Sequence, residues 1–212
     1  MKNAKVPGHS PRTDLYLEAA GLVTGILLVA FLWIHAFLVA IVVFGPAAFD
    51  GTARFLEKHY LSYAGIGLGL LIGLVHVASV ARRIPTGYRE QRAVWRTAGR
   101  MRHTDTYVWA FQAVTGPVIL VAAAVHLWVV LADWPLQAAK SALRVQTDYL
   151  VFYLILLLVA EYHAAAGIYR LLVKWARFRR RSLAYAVGTA AVFILSVNLA
   201  ALWALLHLGG VR

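Results

Sequence analysis

Five long apolar stretches divide this chain, at about 15–46, 61–82, 106–132, 148–173 and 183–208, with short polar segments between them. Each approaches or exceeds the ~20 residues that an α-helix needs to cross a bilayer. None alternates polar and apolar positions as a strand would. In lipid, only helices and closed barrels satisfy their own backbone, so all five stretches are predicted to be helices. The first would be about 48 Å long at ~1.5 Å per residue, against a hydrocarbon core of ~30 Å. It is expected to tilt or to extend beyond the membrane. The pattern predicts an all-α membrane protein, with five transmembrane helices in one bundle and a single domain spanning 1–212.

Composition agrees and narrows the chemistry. Of 212 residues, 61% are hydrophobic and 14% charged, too apolar for an ordinary soluble domain. The chain has no cysteine. That excludes disulfides, thiolate-held iron–sulfur clusters and covalent haem attachment through C-x-x-C-H, while non-covalent haem stays open. No dinucleotide fingerprint or Walker A loop is present. The polar first residues, followed by an apolar run too long for a signal-peptide core, lead us to expect an uncleaved N-terminus.

The net charge of +12 lies in the segments between apolar runs, which points to membrane topology and away from nucleic acid. Lys2, Lys5 and Arg12 precede the first run. Arg82, Arg83, Arg89, Arg92, Arg96, Arg100 and Arg102 follow the second. Arg170, Lys174, Arg177, Arg179, Arg180 and Arg181 follow the fourth. These sixteen face five on the other side: Arg54, Lys58, Lys140, Arg144 and Arg212. The positive-inside rule places the N-terminus in the cytoplasm. Tyr16, Tyr63, Tyr107, Trp134, Tyr149 and Trp175 suit an interfacial aromatic belt.

Four histidines sit inside four successive apolar stretches: His35, His76, His126 and His163. Imidazole finds no water in a bilayer core and needs a partner there, and an interhelical hydrogen bond is the plain alternative for any one of them. Direction converts position into depth. Spans one and three run outward, with His35 and His126 in their later parts. Spans two and four run inward, with His76 and His163 in theirs. The expected pairs are therefore His35 with His126 in the outer leaflet and His76 with His163 in the inner. Two imidazoles from facing helices can supply both axial positions of a haem iron, so the expectation is two stacked haems. Gly69 and Gly73, Ala122 and Ala123, and Ala166 and Gly167 flank three of these histidines and would leave room for a flat ligand, although small residues equally serve close helix packing. His9, His59 and His207 are expected at the surface, and His103 at a helix start.

The chain resembles the dihaem cytochrome b membrane subunit of quinol:fumarate reductases and related succinate:quinone oxidoreductases. The resemblance is carried by Met101 to Thr106, by Gln112 to Gly116 and by Val125 to Leu127. A second block runs from Glu161 through His163 and Gly167 to Arg170, then Val173 to Trp175. Thr24 and Gly25, His35, Gly45, His76 to Arg83, Pro85, Tyr88 and Arg89 agree more weakly.

The resemblance implies two b-type haems and a menaquinone or menaquinol site. It implies a partner iron–sulfur subunit and an FAD-containing flavoprotein, in the bacterial cytoplasmic membrane, with a dimer of such heterotrimers as an option. It implies that electrons from menaquinol pass through the two haems to the cytoplasmic pair, where fumarate is reduced; this chain itself carries no fumarate-reducing site. By position, Lys174 and Trp109 match inner haem propionate neighbours, and Arg144 an outer one. Gly21 and Leu22 depart from a polar pair found in some relatives. The same assembly run backward, a succinate:menaquinone reductase, is the nearest alternative. A cytochrome b anchor of a hydrogenase or another dehydrogenase is a more distant one, and a transporter without haem another.

Two acids complete the picture. Glu161 lies two residues before His163, so at 100° per residue it points about 160° away from that imidazole. A carboxylate in hydrocarbon is expensive and is usually functional or paired. The resemblance places Glu161 at a transmembrane proton pathway. Glu57 lies in the outer loop, twenty-two residues after His35. Taken alone it is a solvated acid, and the resemblance makes it a proton acceptor for quinol oxidation.

Overall fold

The structure, a computed structural model, describes residues 11–83, 87–101, 103–175 and 179–209. Lys2, Lys5, His9, Pro85, Arg102, Arg177 and Arg212 lie outside the described residues. The described residues form eight α-helices: α1 (Pro11–Ala40), α2 (Pro46–Lys58), α3 (Leu61–Val80), α4 (Tyr88–Met101), α5 (Thr104–Ala132), α6 (Ala138–Arg144), α7 (Leu150–Trp175) and α8 (Arg180–Leu206). No strand occurs among the described residues. Among the described residues, five helical segments are long and apolar enough to cross a membrane, and each contains most of one of the five apolar stretches.

Local chemistry sets the helix limits. Pro11 opens α1, and Asp14 in its first turn complements the helix dipole. A 3-10 turn over Ile41–Phe44 ends the first span at Gly45, whose φ of 104° is open to glycine and strained for other residues. Pro46 then starts α2. At the start of α5 the His103 ring accepts a hydrogen bond from the Asp105 backbone N–H at 3.3 Å, a cap in place of the usual Ser or Asp. Pro117 sits within α5 and lacks the N–H that would bond the carbonyl of Ala113.

Three segments expected as loops are helical. α2 and α4 are amphipathic, and α4 is built largely from Arg, Gln, Glu and Ala, all good helix formers. Arg89, Arg92, Arg96 and Arg100 share one face of α4, while Trp95 packs edge-on against Phe111 of α5 with ring centres 6.0 Å apart. α6 runs into α7 through a π-helical turn at Val145–Tyr149, so the fourth span begins about ten residues earlier than its apolar run suggests.

The bundle consists of two helix pairs and a brace. α3 packs on α1, α5 packs on α7, and α8 lies against both α7 and α1. The densest core is at the end opposite α4. There Ala40, Val42, Phe49, Ala138, Ala142, Val145, Ala201 and Leu205 are buried together. Polar ties fasten this end. The Gln146 side-chain amide donates to the carbonyls of Leu205, Leu206 and Leu208 at 3.1–3.2 Å, satisfying acceptors left over at the end of α8. The Asp50 carboxylate accepts from the Ala138 N–H at 2.7 Å and so caps α6 from another helix.

The other end carries most of the basic residues and is laced by ion pairs. Arg82 meets Asp14 at 2.8 Å, Lys174 pairs with Glu18, and Arg180 meets Asp105 at 2.6 Å. Between the two ends, large apolar side chains such as Leu74, Val121, Trp128 and Phe193 face outward, as a lipid-facing surface requires.

Candidate functional site: two tiers of histidines

The four intramembrane histidines lie on four different helices, His35 on α1, His76 on α3, His126 on α5 and His163 on α7. Each helix pair thus contributes one histidine to each tier. In the tier nearer α2 and α6, the His35 and His126 rings have centres 6.1 Å apart and planes inclined at 68°. An imidazole nitrogen bound to a transition metal stands about 2 Å from it, so two imidazoles on opposite sides of one ion have centres roughly 6 Å apart. The observed separation fits that span. Phe31 stacks on His35 at 6.1 Å, and Tyr153 meets the edge of His126 at 5.7 Å. The Nδ1 atom of His126 is buried and has no hydrogen-bond partner among the described residues.

The other tier is built differently. Thr24 Oγ1 lies 3.1 Å from His76 Nδ1, and Thr115 Oγ1 lies 3.0 Å from His163 Nδ1. A Cβ added to Gly25 would stand 3.4 Å from Cε1 of His76, and one added to Gly116 would stand 3.4 Å from Cε1 of His163. The same two-residue device, Thr-Gly, therefore seats a histidine from the neighbouring helix in both pairs. His76 on α3 and His163 on α7 belong to different helix pairs, as His35 and His126 do.

The two tiers share one seam. Thr24 precedes His35 by eleven residues, as Thr115 precedes His126. Eleven residues make three turns with about 20° left over, so Thr and His share a face roughly 16 Å apart along the axis. Thr-Gly, nine residues, then His is thus an internal repeat of spans one and three. It was visible in the sequence, and it marks Thr24, Gly25, Thr115 and Gly116 as part of the site.

The flanking small residues divide. Gly69 does not open onto a ligand space: the Phe31 ring fills it, with Cζ 3.4 Å from a Cβ placed there. Gly167 abuts Gln112 Nε2 at 3.1 Å, which is close helix packing. Gly73 has nothing within 4 Å and keeps the room expected of it.

The candidate acids and cations are placed as follows. Glu161 is buried in α7, 4% exposed, with Oε1 unpartnered among the described residues. The indole N–H of Trp33 on α1 is likewise buried and unpartnered among the described residues. Glu57, at the end of α2, accepts a hydrogen bond from the Trp134 indole N–H at 2.5 Å, and Tyr63 packs on Trp134 at 5.6 Å. Arg144, 11% exposed, meets Asp133 at 2.5 Å, and its Nε is buried and unpartnered among the described residues. Lys174 pairs with Glu18, a partner the sequence reading did not single out, and sits 5.3 Å from the Trp175 ring. Trp109 is half-buried on α5. Of the remaining histidines, His59 packs on Phe55 at 4.6 Å and His207 lies 2.9 Å from the Trp203 carbonyl, both away from the tiers.

Fold and site together define a membrane-spanning helical bundle with histidine pairs at two depths. The family model for the succinate dehydrogenase/fumarate reductase transmembrane subunit matches residues 88–208, and the chain belongs to that family. It is 29% and 30% identical over 192 residues to proteins named fumarate reductase cytochrome b subunit from two strains of Helicobacter pylori, covering 86% of this chain and 74% of each relative. It is 27% identical over 187 residues to the protein of the same name from Wolinella succinogenes, covering 84% of this chain and 70% of that one.

Proposed function

We propose that this chain is the membrane-anchor, electron-transfer subunit of a menaquinol:fumarate reductase, with His35 and His126 holding one b haem and His76 and His163 a second. The observation that carries this reading is the two-tier arrangement, with a 6.1 Å separation of the His35 and His126 rings that would let both hold one metal ion. Bound there, the two haems supply one-electron carriers between a quinol at one membrane face and an iron–sulfur subunit at the other. The family relationship and the names of the relatives support haem as the ligand, and an iron–sulfur and flavoprotein pair as partners. The basic end, read as cytoplasmic, is where that pair docks.

The chain's own residues then have distinct tasks. Menaquinol releases protons on oxidation, and Glu57, held by Trp134 near the His35–His126 tier, accepts them. Arg144 supplies positive charge beside His126, and Lys174 and Trp109 line the other tier as propionate or edge contacts. Glu161 carries a proton through the bundle. Moving one electron inward against the membrane potential costs about 2.3 kcal/mol per 100 mV, and a proton moving with it cancels that charge transfer. A buried carboxyl between the two tiers suits this role and favours fumarate reduction over succinate oxidation.

The test is purification of the intact complex. The expected result is a b-type reduced-minus-oxidised spectrum with two haems per chain, and fumarate reduction driven by menaquinol analogues. A chain without a b-type signal would remove the proposal.

A further inference from the structure

Thr24 and Thr115 have one hydroxyl proton each, and each has a backbone carbonyl on its own helix to give it to. Thr24 Oγ1 donates to the Ala20 carbonyl at 2.6 Å, and Thr115 Oγ1 to the Gln112 carbonyl at 3.1 Å. With that proton committed, the oxygen that faces the imidazole can only accept. It lies 3.1 Å from Nδ1 of His76 in one pair and 3.0 Å from Nδ1 of His163 in the other. The threonine oxygen at each Nδ1 therefore calls for an N–H at that position. A neutral imidazole with its proton on Nδ1 has its lone pair on Nε2.

We propose that Thr24 and Thr115 are positioning residues that lock the His76 and His163 tautomers, and that they make this tier electronically distinct from the His35–His126 tier. In the other tier the Nδ1 of His126 has no partner among the described residues. A hydrogen bond accepted from Nδ1–H pushes electron density toward Nε2 and strengthens it as a donor to a metal, which favours the higher oxidation state. The inference rests on the haem reading above. It assigns to one tier a hydrogen-bonded ligand pair, whereas His126 of the other tier has no such bond among the described residues.

The test uses the purified complex with Thr24→Val and Thr115→Val, singly and together, and the matching Thr→Ser variants. Haem content, redox titration and low-temperature electron paramagnetic resonance are the readouts. In each Val variant one midpoint potential moves upward and the signal of that haem shifts, while the other haem is unchanged. The double variant moves the same haem further, and Ser restores both readouts. Two haems with unmoved potentials in the Val variants would overturn the proposal, as would equal movement of both haems. If Val expels a haem, the Ser variant decides. A retained haem at its original potential supports the hydroxyl role, and loss in Ser as well shows that packing of the methyl group is what matters and overturns it. Failure of the underlying reading looks different, since the unaltered complex would then lack two b haems.

Discussion

Trp134 donates its indole N–H to Glu57 Oε1 at 2.5 Å, a contact between residues 77 apart in the chain that joins the end of α5 to the end of α2. An acid that reads in isolation as a solvated loop residue is thereby held in one place. Glu57→Gln is expected to lower menaquinol oxidation by about tenfold or more with both haems retained, in line with the 10²–10⁴-fold scale of general base catalysis. Trp134→Phe, which loses only the donor, is expected to show a smaller loss. Stopped-flow oxidation of a soluble menaquinol analogue measures both, and an unchanged rate in Glu57→Gln would remove this acid from the mechanism.

The histidine pairs make a counting experiment. His35→Ala or His126→Ala is expected to leave one haem, and so is His76→Ala or His163→Ala, with different residual spectra for the two tiers. Pyridine haemochromogen assay gives the number. If His35→Ala and His126→Ala left spectrally different haems, the pairing across α1 and α5 would be wrong.

Glu161 is tested by the membrane potential. In energised proteoliposomes, Glu161→Gln is expected to slow fumarate reduction by up to tens-fold per 100 mV, since an uncompensated electron costs about 2.3 kcal/mol over that drop. Collapsing the potential with an uncoupler is expected to restore the variant and to leave the unaltered complex unaffected. A variant whose rate ignores the uncoupler would rule out charge compensation by this residue.

Size at Gly25 should matter in steps. A Cβ there stands at ordinary contact distance, 3.4 Å, from the His76 ring, so Gly25→Ala is expected to keep both haems. Gly25→Leu drives a branched side chain into the imidazole and is expected to lose one, with overpacking costing about 1–3 kcal/mol. Haem content after purification in mild detergent separates the two outcomes. Loss of haem in the Ala variant would mean that the contact is tighter than the backbone indicates.

The sequence showed the membrane spans because each needs only its own length of apolar residues to declare itself. It placed the four histidines at two depths for the same reason, since depth follows from position once direction is known. The hairpin-like ends were less legible. α2, α4 and α6 are short, and their helicity depends on what they pack against, as Asp50 capping α6 from a distant helix illustrates. Small residues were ambiguous for a physical reason, since a glycine leaves space without stating what fills it. Phe31 takes the space at Gly69, and Gln112 takes it at Gly167. The Thr-Gly repeat was available in the letters. It becomes meaningful only when the partner histidine from the next helix is brought alongside.

The division of the bundle into α1 with α3 and α5 with α7 has a consequence for the cell's iron economy. Besides the brace of α8, the halves are joined at the end opposite α4 through α2 and α6, and along the spans they converge on the two histidine tiers. Binding energy gained only in the folded form is folding energy. On the haem reading, a cell short of haem would then hold a chain joined at that end but less supported along its spans, open to membrane proteases, and would lose the anchor along with the cofactor. Immunoblots of membranes from a haem-auxotrophic host, with and without a haem precursor, are expected to show the chain accumulating only when the precursor is supplied. Cofactor supply would thereby set how many complexes the membrane carries, without any dedicated regulator.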